Sequence, residues 1–276
     1  MSIESPLSAV VQGIARHYAQ HKLEPSDAFA DFHVRIDQRW ALRRWVTKEV
    51  VFRFDGSQPC AASPGDQGFA VLERGLDWCI SNHCHQYLIV RAAVLERGGR
   101  ALLLPAPLGS GKSTLCAALM HGAGWRLLSD ELALIDPMSG KVVPLPRPVR
   151  LANASIDAMR ALSLPSFTAA VGEEAPGDVA YLRPPVDAVL RDHEPALPAW
   201  VVVPRYAAGA AAQIQRQSRA QGFMALVDNA INYSVHGRSG FATLTDLIDR
   251  CDCHQLIYGD LNGAVAVCDA LARSTR

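Results

Sequence analysis

The sequence predicts an α/β core over residues 69–276, preceded by a small α+β region over residues 1–68. Three observations carry this. Apolar runs at Tyr87–Leu95, Ala101–Leu104, Trp125–Leu128 and Trp200–Val203 read as buried strands. Helical spacing recurs at Lys112–His121, Ser218–Val227, Gly240–Arg250 and Asn262–Arg273. A glycine-rich segment, Ala106–Thr114, lies where the Ala101–Leu104 strand passes into the Lys112–His121 helix.

From the N-terminus, Ile3–Tyr18 has helix-like spacing, with Val10, Val11, Ile14 and Tyr18 on one face, and Trp45–Phe54 alternates like a strand. The Gly-, Pro- and Ser-rich stretch Gly56–Gly68 is a loop, and Phe69–Ser81 is a helix that turns Val71, Leu72, Leu76 and Ile80 to one side. Gly98-Gly99 turns the chain between the first two core strands, and Gly122-Ala123-Gly124 stops the helix after the loop. Leu132–Ile135, a turn over Asp136–Lys141 and Val142–Leu145 read as a hairpin. Pro144, Pro146 and Pro148 stiffen the end of that hairpin and the residues after it, and residues 165–198 read as exposed connections.

Composition narrows the class. The 27 basic side chains equal the 27 acidic ones, so no overall charge grips nucleic acid or an anionic lipid surface. No apolar run reaches bilayer length, and Met1–Gln20 lacks the pattern of a signal peptide. Seven scattered cysteines, an odd number, read as reduced thiols, and the expected location is the cytoplasm. The Cys251-Asp252-Cys253-His254 cluster has no second half to complete a metal site, and His83-Cys84-His85 reads as a helix end.

The loop carries the chemistry. Glycines at 109 and 111 let the backbone curl so that successive N–H groups converge on phosphate oxygens. The helix that opens there adds the positive end of its dipole. Residues Ala106, Gly109, Ser110, Gly111, Lys112, Ser113 and Thr114 are thus the expected nucleotide contacts. Lys112 suits the terminal phosphates of ATP or GTP, and the Ser113 hydroxyl suits Mg²⁺. Ala106 stands where the pattern usually has glycine.

The second signal is Asp130-Glu131, at the end of the Trp125–Leu128 strand, where carboxyl ends of strands line a crevice. Asp130 is expected to orient or deprotonate a hydroxyl acceptor, and Glu131 to join Ser113 at the metal. Arg147 and Arg150 flank the stiff proline segment, and Arg205 follows the Trp200–Val203 strand; all three are candidates for phosphate or acceptor contact. No acid ends that last strand and no Leu-Ser-Gly-Gly signature occurs, which favours a kinase over a mechanical ATPase.

Four pieces together resemble the HPr kinase/phosphorylase superfamily, most of all its branch called HprK-related kinase A. They are Leu102–Leu115, Gly124–Glu131, Pro144–Leu151 and Trp200–Tyr206. The resemblance covers roughly Phe69 to the C-terminus. It implies an HPr kinase-like core related to phosphoenolpyruvate carboxykinase, with ATP or GTP in the loop, Mg²⁺, and a serine or other hydroxyl as acceptor. In that family paired acids follow the strand after the loop helix, at Asp130 and Glu131 here, and a histidine precedes the loop, where this chain has Arg91. An arginine there holds phosphate or fixes a carboxylate instead of sharing a proton. The resemblance further implies a peptide or small-protein acceptor, a PqqD-like peptide-binding partner, a link to exopolysaccharide/exosortase systems and a homo-oligomer. Two alternatives stay open: a small-molecule kinase, which would continue as a helix after Asp130, and a nucleotide-binding regulatory protein without catalysis, motivated by Ala106 and Arg91.

Overall fold

The computed structural model describes residues 1–25, 27–40, 48–107, 109–162 and 179–274. The chain forms two compact units, residues 1–84 and 85–276.

In the first unit, strands β1 (Ser2–Glu4), β2 (His33–Trp40), β3 (Lys48–Phe54) and β4 (Ser63–Pro64) form one sheet in that order. Helices α1 (Ser8–His17) and α2 (Gly68–His83) contribute Val10, Val71, Leu72, Leu76 and Cys79 to a core shared with Ile36, Val50 and Phe52. Val71, Leu72, Leu76 and Ile80 are all buried, as the 3.6-residue period requires. Val11, expected on the buried face of α1, is 54% exposed, and Ile3 belongs to β1. The unit boundary falls after Cys84 and not at residue 68, because the apolar face of α2 completes this small core. Trp45, the expected start of one strand, lies outside the described residues.

The second unit is built on an eight-stranded mixed sheet. Its strands are β5 (Leu88–Arg97), β6 (Arg100–Pro105), β7 (Arg126–Ser129), β8 (Leu132–Ile135), β9 (Val142–Val143), β12 (Leu197–Tyr206), β13 (Gln213–Arg216) and β14 (Asp252–Tyr258). A separate antiparallel pair joins β10 (Val149–Ala152) to β11 (Val179–Leu182). The apolar run of β6, and that of β5 interrupted by the half-buried Arg91, fit strands covered on both faces. One apolar layer includes Leu102, Leu104, Leu115, Leu119, Trp125 and Trp200, and the other includes Val90, Leu103, Leu128, Val201, Leu244 and Leu247.

Helix α3 (Lys112–Gly122) follows β6 through the loop, and α4 (Asn153–Ala161) follows β10. The segment after Asp130-Glu131 is a hairpin, with β8 antiparallel to β9, and not a helix. Residues 179–198 are not simply connections: β11 and the helix Val186–Leu190 lie there, while residues 163–178 are outside the described set. Strand β14 is not among the elements the sequence predicts; of Cys251-Asp252-Cys253-His254, the last three residues open it. Cys251 and Cys253 are buried in the second apolar layer. Among the described residues, no helix is long and apolar enough to cross a membrane.

Candidate nucleotide site

Strand direction assembles the site. Strands β6, β12 and β14 are mutually parallel, and β6 and β7 are both antiparallel to β5. Four strands therefore point the same way, and Pro105, Ser129, Tyr206 and Tyr258 end at one edge of the sheet. The 106–111 loop, Asp130-Glu131 and the turn before the last helix, Leu261–Ser274, all leave from that edge.

The loop's backbone explains its composition. Gly109 and Gly111 sit at φ +81° and +89°, a region that side chains rarely adopt. Ala106 is buried and does not have positive φ, so alanine meets no backbone penalty at the position where glycine is usual. Leu108 lies outside the described residues. A Cβ on Gly111 would overlap the Tyr258 hydroxyl. That hydroxyl donates a 3.0 Å hydrogen bond to the Gly111 carbonyl, and the Tyr206 N–H donates to the Ser110 carbonyl at 3.4 Å. The two tyrosine rings meet edge to face at 5.7 Å. Burial pushes the Tyr258 phenol up, which keeps it a donor at neutral pH. Two tyrosines from β12 and β14 thus brace the loop and line the same cavity. Helix α3 opens at Gly111 with no side-chain cap, so its first amides face the loop's concavity.

The charged groups lie beside the loop. Lys112 is only 3% exposed, and its Nζ lies 3.2 Å from Glu131 Oε2. Arg91, on β5, reaches the same Glu131 oxygen at 3.8 Å. Ser113 Oγ donates to Asp130 Oδ1 at 3.1 Å. Glu131 adopts φ +57°, a strained value for a non-glycine residue. Its carbonyl is held by the Ala92 N–H at 3.1 Å. Ser129 pairs with Val94 and Leu132 with Arg91, so the Asp130-Glu131 step interrupts one long run of pairing along β5. Behind the site, burial and then the Asp130 charge raise the Cys116 thiol well above its ordinary value, leaving it an inert core group.

A cavity of about 640 Å³ opens from the loop. Lys112, Ser113, Thr114 and Glu131 line one part of it, and Arg150 enters from β10. Of the other candidate arginines, Arg205 is exposed at the end of β12, where its neighbour Tyr206 lines the cavity instead. Arg147 is half-buried in the extended segment whose Leu145 N–H bonds the Leu128 carbonyl at 2.6 Å. Sequence reasoning missed Tyr206 and Tyr258 as loop braces, and the α4 residues Ser155, Ala158 and Ala161, with Leu162 just after, as cavity wall. Asn232 holds the entry to β5, accepting from the Ile89 N–H and donating to the Tyr87 carbonyl just before the strand, both at 2.8 Å.

These residues fit a nucleotide polyphosphate with Mg²⁺. The concavity has open amides, a buried lysine and a hydroxyl–carboxylate pair of the kind that shares a magnesium ion. No protein-family model matches the chain, and no curated protein matches it in sequence.

Proposed function

We propose that this chain is a Mg²⁺-dependent phosphotransferase that moves the terminal phosphoryl group of ATP or GTP to a hydroxyl of a peptide or small protein. The proposal places it with the HprK-related kinases, on an HPr kinase-like core. The observation that carries it is the convergence of Lys112, Ser113, Asp130 and Glu131 on one uncapped helix start.

When bound, the magnesium nucleotide supplies a transferable phosphoryl group and a diphosphate leaving group. The loop amides and the α3 dipole bind the polyphosphate, and Lys112 leaves Glu131 for the terminal phosphates. Ser113 and Asp130 would hold the metal, since they already share a hydrogen bond. Glu131, whose Oε2 lies within reach of Lys112 and Arg91, then takes the acceptor's proton on its carboxylate. The acceptor oxygen bonds phosphorus as the bond to the diphosphate breaks. The two acids thereby exchange the parts the sequence assigned them, with Asp130 at the metal and Glu131 as base. Arg91 orients Glu131 and cannot share its proton.

The hairpin after Glu131 argues against the small-molecule kinase alternative, which would continue as a helix. The motive for a catalytically silent protein also weakens, because Ala106 carries no strain and Arg91 engages the site's acid. The acceptor class, a PqqD-like partner and an exopolysaccharide/exosortase setting rest on the family resemblance, as does homo-oligomerisation. The test is incubation with γ-labelled ATP, Mg²⁺ and the peptides or small proteins encoded beside this chain, followed by mapping of the labelled residue. Label on a serine that depends on Lys112 supports the reading. Absence of triphosphate binding by calorimetry overturns it.

A further inference from the structure

The cavity is larger than a phosphate tail needs, and its two parts differ in chemistry. Lys112, Glu131 and Arg150 bring charge to the lining, and Asp260 and Asn262 add polar groups from the turn and helix start after β14. One part is walled by α4 and its end, where Ser155, Ala158 and Leu162 recur at helical spacing and share one face. Ile156 and Met159, on the other side of α4, are buried in the core. Opposite in character to the acids, this wall is made of small and apolar groups, and Tyr206, 55% exposed, lines the same space.

We infer that this arm is the nucleoside subsite: the heteroaromatic base packs on the Ala158 face of α4 and on the Tyr206 ring, with Ser155 beside the sugar and first phosphate. The inference rests on the nucleotide reading above. Direction decides which end is which. In such loops the lysine serves the last two phosphates, so Lys112 and Glu131 mark the terminal end. The first phosphate then lies toward the following helical residue, Thr114. The Thr114 hydroxyl donates to Ser155 Oγ at 2.7 Å, which leaves the Ser155 proton to donate into the cavity. A flat π-face against small side chains and an aromatic ring is a sequence-tolerant way to hold a base.

The test uses the full chain and compares Mg²⁺·ADP with Mg²⁺·pyrophosphate by calorimetry. Ala158 is exposed on the cavity wall, so Ala158→Trp fills that space without entering the core. Ala158→Trp is expected to weaken ADP binding by about tenfold or more while pyrophosphate stays within about twofold. Ala161→Trp, at the other exposed alanine of this wall, is expected to act in the same direction and supplies the test should the first variant not fold. Unchanged ADP affinity in the folded variants, or equal losses for ADP and pyrophosphate, overturns the nucleoside subsite. Failure of the unmutated chain to bind either ligand overturns instead the phosphate-loop reading beneath it.

Discussion

The Tyr258 hydroxyl donates to the Gly111 carbonyl at 3.0 Å, and the same oxygen occupies the space a Cβ on Gly111 would need. A strand end thus dictates both the residue type and the peptide orientation at the start of helix α3. The Gly111 carbonyl also accepts from the Leu115 N–H at 2.9 Å, so Tyr258→Phe leaves it one partner. The loss is then about 1 kcal/mol, or roughly fivefold in Mg²⁺·ADP affinity. Calorimetry with a parallel melting curve checks this. An affinity equal to that of the unmutated chain would show that the brace has no part in binding.

Gly111 and Ala106 are expected to respond in opposite ways to exchange of glycine and alanine. Gly111→Ala meets both the tyrosine and φ +89°, and should lower stability by about 1–3 kcal/mol and abolish nucleotide binding. Ala106→Gly restores the usual motif but relieves no strain, because Ala106 does not have positive φ. Its expected effect on ADP affinity is less than about twofold, with a small loss of stability from added chain entropy. A large gain in affinity would mean that alanine impairs the loop.

The loop was legible because its glycines, Lys112 and Ser113 are contiguous and their backbone demands are local. Asp130-Glu131 was legible as the end of an apolar strand, although which acid meets Ser113 was not, because one residue step reverses the side. Tyr206, Tyr258 and α4 come from segments distant in sequence and meet the loop only through parallel pairing of β6, β12 and β14. A signal for β14 existed: Leu256-Ile257-Tyr258 then Gly259 stands between two helical patterns, as a strand before a turn would. For α2, the pattern identified the buried face, but not the unit whose core that face completes.

His121, near the end of α3, has its pKa lowered to about 4 by burial. Below about pH 6.5 the unfolded chain takes up a proton there that the folded chain refuses, so the native state loses stability as pH falls toward 4. His121→Gln removes this titration. The melting temperature of the unmutated chain relative to His121→Gln should therefore decline between pH 7 and 4. Parallel curves over that range would refute the assignment.

Arg91 lies 3.8 Å from Glu131 with a side chain 40% exposed, so the pair adds little to stability. Its expected role is to fix the direction of the carboxylate. Arg91→Ala should leave the melting temperature within about 2 °C, consistent with a loss below roughly 0.5 kcal/mol. Turnover should fall by about tenfold with little change in KM for ATP, since the residue is expected to act on the reacting step. A raised KM with unchanged turnover would assign Arg91 to phosphate binding instead.

The division of labour between the two acids gives the sharpest kinetic contrast. Asp130 accepts from Ser113, whereas Glu131 faces two cations, so the carboxylates occupy different chemical surroundings despite being adjacent. If Asp130 serves the metal, Asp130→Asn should raise the Mg²⁺ concentration needed for half-maximal transfer by about tenfold or more, and excess Mg²⁺ should recover part of the rate. If Glu131 is the base, Glu131→Gln should lower turnover by about 10²–10⁴-fold at every Mg²⁺ concentration, with ADP binding retained. Titrating Mg²⁺ at saturating ATP against both variants separates the roles. The reverse pattern, with Glu131→Gln rescued by metal and Asp130→Asn not, would return the base to Asp130.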